Sequence, residues 1–254
     1  MCGIFGIINF NYKPIDTVKA AQAAKALSHR GPDDNGTFLS ASGNAFFNHY
    51  RLSIIELSKL GHQPMTTEDG RYTILYNGEI YNYKSIKNSE LKIQNWRTNS
   101  DTEVILNLYE KCGEDSLKKL RGMFAFAVWD EKEKSLFAAR DRFGIKPLYY
   151  FINKDEFIFS SELKAINKYK DNLTISQSGV EAFLKTGSIP APLTIYNETM
   201  SLLPGEFIKV NSSGVNWLKK WWSFEEILDT PDEVINYNES SRMEIKSALI
   251  DSVK

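Results

Sequence analysis

The chain begins Met1-Cys2-Gly3-Ile4-Phe5-Gly6-Ile7-Ile8, a cysteine followed by a short apolar run. An uninterrupted apolar run of this length predicts a buried β-strand over residues 3–9. Met1 precedes a small side chain, the situation in which an initiator methionine is usually trimmed, although the sequence does not decide whether it is removed here. With Met1 removed, Cys2 would carry both a thiol and an α-amine, whose reference pKa of about 7.7–8.0 suits a base for that thiol. The structural alternative is a small cysteine packed in the core.

Composition excludes several classes of protein. The 254 residues include 31 Lys and Arg against 32 Asp and Glu, a net charge of −1, so nothing favours a nucleic-acid or membrane-surface partner. Two cysteines argue against a disulfide framework and for a reducing, cytoplasmic compartment. We find no signal peptide and no apolar run of the 18–20 residues that a membrane helix needs. The three histidines show no ligand spacing, so we predict no metal site.

The pattern along the rest of the chain predicts strands and helices in alternation. Helices are expected at 16–28, 103–111, 178–185 and 242–253, and strands at 45–55, 71–76, 123–129, 135–139, 147–152, 156–161, 206–210 and 215–222. The acidic segment 223–238 has little regular pattern and is interpreted as a linker. The sequence shows no internal repeat.

Arg51 projects from an otherwise apolar segment, where it is either an exposed edge residue or a functional cation. Leu52-Ser53-Ile54-Ile55 follows it directly. A planar guanidinium in such a place can clamp a carboxylate through two parallel hydrogen bonds.

Asn77-Gly78 follows the predicted strand at 71–76. An Asn-Gly pair is typical of a tight hairpin turn, but residues 80–86 have a spacing closer to that of a helix than of a return strand. A strand that ends here can present a side-chain amide and a backbone N–H at one place, which is what an oxyanion hole requires.

Asp101 lies in Ser100-Asp101-Thr102-Glu103, at the predicted start of a helix. The four residues fit a capping box, with serine at the cap and glutamate three residues later. Stabilising the positive helix end and binding an ammonium group therefore remain two open roles for Asp101.

Seven motifs, in this order, resemble the class II glutamine amidotransferase domain of glutamine-hydrolysing asparagine synthetases. They are Cys2-Gly3-Ile4-Phe5-Gly6, Arg30-Gly31-Pro32-Asp33, Arg51-Leu52-Ser53-Ile54-Ile55, Gln63-Pro64, Tyr76-Asn77-Gly78-Glu79-Ile80-Tyr81-Asn82, Ser100-Asp101-Thr102-Glu103, and the run from Ala139 through Arg140-Asp141-Arg142-Phe143-Gly144-Ile145-Lys146-Pro147-Leu148-Tyr149-Tyr150. The match extends to about Trp222 through Ser160-Ser161-Glu162-Leu163-Lys164-Ala165 and Leu203-Pro204-Gly205. The resemblance implies an α+β fold: a four-layer αββα sandwich of two mainly antiparallel sheets, the N-terminal nucleophile hydrolase fold.

The resemblance also implies a role for each matching residue. It makes Cys2 the nucleophile with its own amine as base, and makes the Asn77 side chain and the Gly78 N–H the oxyanion donors. Its implied glutamine site is Arg51 for the α-carboxylate, Asp101 and Glu79 for the α-ammonium group, and Leu52, Ser53, Ile54 and Ile55 for the pocket wall.

Members of this family continue into a synthetase domain that uses ATP and Mg²⁺ and carries a Ser-Gly-Gly-x-Asp-Ser loop. This sequence has no such string. We therefore expect an amidotransferase domain at 1–222, and a linker with the first helix of a truncated synthetase domain at 223–254. The expected partners are L-glutamine and the synthetase domain of the same full-length chain, with a homodimer left open and no cofactor in this fragment.

Three functions remain open from the sequence. The first is the glutaminase half of an asparagine synthetase. The second is the same half of an amidotransferase that amidates another carboxylate, such as a sugar acid in polysaccharide synthesis. The third is a non-catalytic subunit that keeps the fold.

Overall fold

The computed structural model describes residues 1–91, 93–228 and 238–253. Contacts divide the chain into Met1–Trp222 and Ser223–Lys254. In the described residues, no helix is both long enough and apolar enough to cross a membrane.

Twelve strands of the first unit form two antiparallel sheets of six. In chain order they are β1 (Gly3–Asn9), β2 (Asp34–Leu39), β3 (Ala45–Arg51), β4 (Met65–Thr66), β5 (Tyr72–Ile80), β6 (Gly122–Asp130), β7 (Ser135–Arg140), β8 (Tyr149–Ile152), β9 (Glu156–Ser160), β10 (Thr199–Ser201), β11 (Glu206–Asn211) and β12 (Gly214–Lys220). The first sheet has the order β10-β8-β9-β1-β3-β2, and the second has the order β12-β11-β7-β6-β5-β4.

Helices of the first unit cover the outer face of each sheet, and the last two helices of the described chain belong to the second unit. In chain order the helices are α1 (Thr17–Ala24), α2 (Tyr83–Ile86), α3 (Asp101–Cys112), α4 (Ser116–Lys119), α5 (Leu163–Lys170), α6 (Gln177–Thr186), α7 (Phe224–Leu228) and α8 (Glu239–Val253). Short 3-10 turns occupy Phe10–Tyr12, Lys25–Arg30, Lys59–Gly61 and Gly113–Asp115, and a π-helical turn occupies Lys87–Leu91.

Three hydrophobic cores separate the layers. The central core lies between the two sheets and includes Phe47 of β3 and Trp129 of β6, whose ring centroids are 6.0 Å apart. A second core joins the outer face of β5 and β6 to α3, and a third joins the outer face of β1 to α1 and α5. Helix, sheet, sheet and helix are therefore stacked in four layers, which confirms the predicted αββα sandwich.

The structure corrects several predicted boundaries. The strand predicted at 71–76 continues as β5 through Asn77 and Gly78 to Ile80, because each residue from Tyr72 to Ile80 is paired with β6. The predicted helix at 16–28 becomes α1 and a 3-10 turn, and the strand at 45–55 ends at Arg51.

The second unit differs from the predicted linker in one respect. Helix α7 lies inside the segment 223–238 that we interpreted as irregular, while residues 229–237 lie outside the described part of the chain. The predicted helix at 242–253 is present as α8 and starts three residues earlier.

Candidate active site

One cleft brings together residues from both sheets and from the start of α3. Most of the residues singled out from the sequence line it: Cys2, Arg51, Leu52, Ile54, Ile55, Asn77, Gly78, Glu79 and Asp101. Ser53 does not line this cleft. It faces the adjoining groove beside Asp33, where its N–H donates to Asp33 Oδ2 at 2.7 Å.

Cys2 stands immediately before β1, and its sulfur lies against the loop that follows β3. The Leu52 N–H donates to Cys2 Sγ at 3.4 Å, and the Leu52 carbonyl lies 3.7 Å from the same atom. Burial raises the pKa of the Cys2 thiol, although the Leu52 hydrogen bond and the nearby terminal amine oppose that shift. With Met1 attached, the thiol is therefore protonated at neutral pH.

Met1, which bears the terminal amine, is also one of the residues that line the cleft. Partial burial lowers the pKa of this amine below 8.0, and Arg30 and Lys146 act in the same direction while Cys2 opposes them. The Met1 side chain is about half exposed.

The backbone of Cys2 is held by Arg30, a contact that the sequence analysis missed. Arg30 Nε donates to the Cys2 carbonyl at 2.9 Å, and its Nη1 donates to Glu162 Oε1 at 2.8 Å. Burial of Glu162 disfavours its charge, but hydrogen bonds from Arg30, Lys164 and His29 more than offset this and lower its pKa from 4.5 to about 2. Arg30 and Glu162 both stand in motifs of the resemblance, which is the signal that could have found them.

Arg51 is the last residue of β3, and its guanidinium is nearly buried in the wall of the cleft. Nη1 donates to the Ser58 carbonyl at 3.0 Å, and Nη2 donates to the Glu56 carbonyl. Gly61 leaves the space for this group, since a Cβ there would lie 2.1 Å from Arg51 Nη2. The loop carbonyls therefore fix a cation at one end of the cleft.

Asn77 and Gly78 lie within β5, at the edge that faces Cys2. The Asn77 side chain is 1% exposed, and its Nδ2 has no hydrogen-bond partner among the described residues. A buried amide without a partner costs free energy, so its orientation needs an explanation. A side chain on Gly78 would collide with β6, because its Cβ would lie 2.4 Å from the Met123 carbonyl oxygen.

Asp101 is the first residue of α3 and is buried. Its Oδ2 accepts hydrogen bonds from the Tyr76 hydroxyl at 2.8 Å and from the Ile80 N–H at 3.0 Å. Burial raises the pKa of Asp101 above 3.8, and these two bonds oppose the rise. The carboxylate is thus bonded to β5 as well as placed at the positive end of a helix.

The capping box predicted at this helix forms only in part. The Ser100 side chain caps the helix by accepting from the Thr102 N–H at 3.1 Å. Glu103 does not return to the Ser100 N–H; it accepts instead from the backbone of Arg97 at 3.0 Å and of Thr98 at 2.7 Å. The predicted reciprocal bond is absent because the Ser100 N–H donates instead to Thr98 Oγ1 at 3.0 Å.

Lys146 also lines the cleft, and the sequence analysis did not predict its place there. Its side chain is 6% exposed and lines the cleft with Cys2 and Glu79. Burial and the charge of Arg30 lower the pKa of its amine, while Cys2 and nearby carboxylates oppose that shift. The cleft thus holds cations and carboxylates as well as the Cys2 thiol.

Comparison with known proteins places this cleft in a family. Residues 1–222 match the family model described as "Glutamine amidotransferase domain". The chain belongs to this family. The amidotransferase domain therefore accounts for the whole of the first structural unit, and it is of the kind found in asparagine-synthetase-like proteins.

Curated relatives of the amidotransferase domain are longer than this chain. A putative glutamine-hydrolysing asparagine synthetase 2 of Methanocaldococcus jannaschii is 42% identical over 80% of this chain and 42% of its own length. Glutamine-hydrolysing asparagine synthetase 1 of Bacillus subtilis is 34% identical over 100% of this chain and 39% of its own. The chain thus spans about two-fifths of the length of these relatives.

A solved structure shares the fold of the amidotransferase domain. Glutamine phosphoribosylpyrophosphate amidotransferase from Bacillus subtilis superposes with a TM-score of 0.66 at 20% identity, covering 86% of this chain and 49% of the other. This similarity confirms the predicted N-terminal nucleophile hydrolase fold.

Proposed function

We propose that this domain hydrolyses glutamine with Cys2 as the nucleophile once Met1 has been removed. The observation that carries the proposal is that one cleft holds the thiol, the Arg51 guanidinium, the Asp101 carboxylate and an Asn77 amide that has no hydrogen-bond partner among the described residues. An N-terminal cysteine supplies a base from its own α-amine, so no histidine is needed beside the thiol.

The charges of the cleft suit a zwitterionic amino acid. Arg51, at the end of β3, would take the α-carboxylate through its planar guanidinium. Asp101 and Glu79 would take the α-ammonium group, and Leu52, Ile54 and Ile55 would bound the aliphatic stem. The ammonium would also compensate the cost of burying the Asp101 carboxylate.

Bound in this way, glutamine would place its side-chain carbonyl beside the Cys2 thiol, and the reaction follows from that position. The α-amine accepts the thiol proton, and the thiolate attacks the carbonyl carbon. The Asn77 Nδ2 and the Gly78 N–H donate to the oxyanion, which stabilises the tetrahedral intermediate. The C–N bond breaks as the nitrogen takes a proton, giving ammonia and a γ-glutamyl thioester, and water hydrolyses the thioester to glutamate.

A glutaminase assay on Met1-free protein tests this function. Intact mass establishes that Met1 is absent, and glutamate release is measured for wild type, Cys2→Ala and Cys112→Ala. Cys112 is the second cysteine and lies at the end of α3, so its variant controls for loss of a thiol. We expect Cys2→Ala to be inactive and Cys112→Ala to match wild type. Equal glutamate release from Cys2→Ala and wild type would overturn the proposal.

We further propose that the ammonia is used by a synthetase domain of a longer protein to amidate aspartate, with ATP and Mg²⁺ as its cofactors. The names and lengths of the two asparagine synthetase relatives support this. No group of three or more acidic, histidine or cysteine side chains among the described residues could hold a metal ion, so no step here is assigned to one. Assaying the full-length protein with glutamine, ATP and either aspartate or a sugar acid would show which of the two carboxylates is amidated.

A further inference from the structure

The edge of β5 that faces the cleft has almost no strand partner. Strand β4 pairs only with Thr73 and Ile74, so the polar groups from Tyr76 to Ile80 have no ladder on this side. Side chains take its place: Gln63 Oε1 accepts from the Tyr76 N–H at 2.7 Å, and Asp101 Oδ2 accepts from the Ile80 N–H at 3.0 Å.

The Gly78 N–H lies between these two bonds on the same edge. Successive backbone N–H groups of an antiparallel strand alternate between its two neighbours. The N–H groups of Tyr76 and Ile80 point away from β6, so that of Gly78 does as well. The side chains therefore complete the edge on both sides of Gly78 and leave its N–H directed at the cleft.

His49 supplies the third of these side-chain contacts, from the opposite sheet. It lies on β3, is fully buried, and its Nε2 is 3.0 Å from the Tyr76 carbonyl oxygen. A carbonyl oxygen only accepts, so Nε2 carries the proton and Nδ1 is left as an acceptor. Nδ1 is buried without a partner among the described residues, as is the Asn77 Nδ2.

Burying a histidine here costs more free energy than burying an apolar side chain, because its Nδ1 has no hydrogen-bond partner among the described residues. Two positions earlier on the same face of β3, Phe47 fills the central core with an apolar ring. Burial lowers the pKa of His49 from 6.5 to about 4, so the ring is neutral near neutral pH and donates a single hydrogen bond to Tyr76. An apolar side chain at this position would avoid leaving Nδ1 unpaired, whereas it could not hold the Tyr76 carbonyl.

We propose that His49 is a positioning residue for the two oxyanion donors, an inference that rests on the proposed glutaminase function. Its Nε2–H holds the oxygen of the planar peptide between Tyr76 and Asn77. The opposite side of that peptide is paired with β6. Fixing the plane at both sides sets the direction of the Asn77 amide and of the Gly78 N–H that follows.

The test compares steady-state glutaminase kinetics of Met1-free wild type, His49→Leu and His49→Gln. Leucine removes the donor, while the glutamine amide N–H can restore it. We expect His49→Leu to lower kcat about tenfold or more, since misplaced donors lose much of the effect of a 10²–10³-fold oxyanion contribution. KM for glutamine should stay within about threefold, and His49→Gln should recover most of kcat.

Phe47→Leu is the matched control for lost packing. Phe47 lies on the same face of the same strand, and its apolar ring cannot donate a hydrogen bond to the Tyr76 carbonyl. Phe47→Leu should therefore lower the melting temperature and leave kcat within about threefold. If His49→Leu does not fold, His49→Met replaces it, because that side chain also lacks a donor for the Tyr76 carbonyl and should give the same loss of kcat at nearly constant KM.

Three outcomes would overturn this inference while leaving the proposed function intact. In each case the wild type is active. The first outcome is an unchanged kcat in His49→Leu or its replacement, and the second is a variant in which only KM for glutamine changes. The third is a loss of kcat in Phe47→Leu as large as that in His49→Leu. An inactive wild type would instead reject the proposed function itself.

Discussion

At the scale of single residues, the proposed nucleophile Cys2 is held mainly through its backbone. Arg30 bonds the Cys2 carbonyl, and Glu162 in turn bonds Arg30. The sulfur itself contacts only the backbone of Leu52 within hydrogen-bonding range among the described residues. Arg30 and Glu162 therefore set where the thiol stands without touching it.

The depressed pKa of Glu162 leads to a prediction about stability. A carboxylate whose pKa falls on folding stabilises the native state above its unfolded pKa, and this contribution is lost as pH falls from about 4.5 to about 2. We expect Glu162→Gln to cost about 1–3 kcal/mol at neutral pH, the range for a lost partner of charged hydrogen bonds. Thermal unfolding followed from pH 6 to pH 2.5 should show a smaller fall in melting temperature for the variant than for wild type.

Asp171→Asn is the control for that experiment. Asp171 pairs with Lys19 at 3.0 Å in an exposed position, where ion pairs contribute little to stability. Its variant should follow the wild-type curve, and a Glu162→Gln protein that also follows it would contradict the assigned role of the carboxylate.

Arg51 yields a prediction about glutamine affinity. Removing a guanidinium that clamps the α-carboxylate should raise KM about 10- to 100-fold, because a charged hydrogen bond contributes about 1.5–3 kcal/mol. Arg51→Ala is compared by steady-state kinetics with Arg71→Ala, whose guanidinium bonds Asp130 at 2.9 Å and does not line the cleft. An unchanged KM in Arg51→Ala would reject the clamp.

At the scale of secondary-structure elements, the sequence predicts well where an element has local signals. The apolar runs of β1 and β6 and the Asp16 cap of α1 are such cases, and Asp16 accepts from the Lys19 N–H at 3.0 Å. The extent of β5 could not be predicted, because Asn-Gly favours a turn locally. Its nine pairs with β6 override that preference, and partners 40 or more residues away leave no local pattern.

The same limit applies to the elements that build the cleft. The resemblance supplied the motifs of Arg51, Asn77 and Asp101, and the structure brings all three to one place. Local pattern could not show that Gln63, His49 and Asp101 share the edge of a single strand, since each comes from a different segment. Strands β2, β4 and β10 were also missed, because their sequences lack alternating apolar residues.

At the scale of the whole molecule, the chain consists of two units of unequal size. Residues 1–222 contain the three hydrophobic cores, the cleft and the full family match. The apolar side chains of α8, by contrast, are exposed: Ile245, Leu249, Ile250 and Val253. The predicted boundary between an amidotransferase domain and the start of another remains a proposal.

Truncation tests that boundary. A chain ending at Trp222 keeps the Trp221 and Trp222 contacts to Gly205 and all three cores. We expect it to fold with a melting temperature within a few degrees of the full 254 residues and to keep the same glutaminase kcat. Circular dichroism melting and the glutamate assay measure this. A truncated chain that is insoluble or inactive, beside an active parent, would place the boundary later.

Met1 has a consequence for how any specific activity of this protein is interpreted. Met1 is half exposed and Cys2 beside it is partly buried, and removal of Met1 changes which residue bears the terminal amine. On the proposed mechanism, a preparation in which Met1 is trimmed incompletely would be a mixture of a latent and a mature species, and the apparent turnover would scale with the mature fraction. Titrating the competent active centres, rather than total protein, separates incomplete maturation from a slow enzyme.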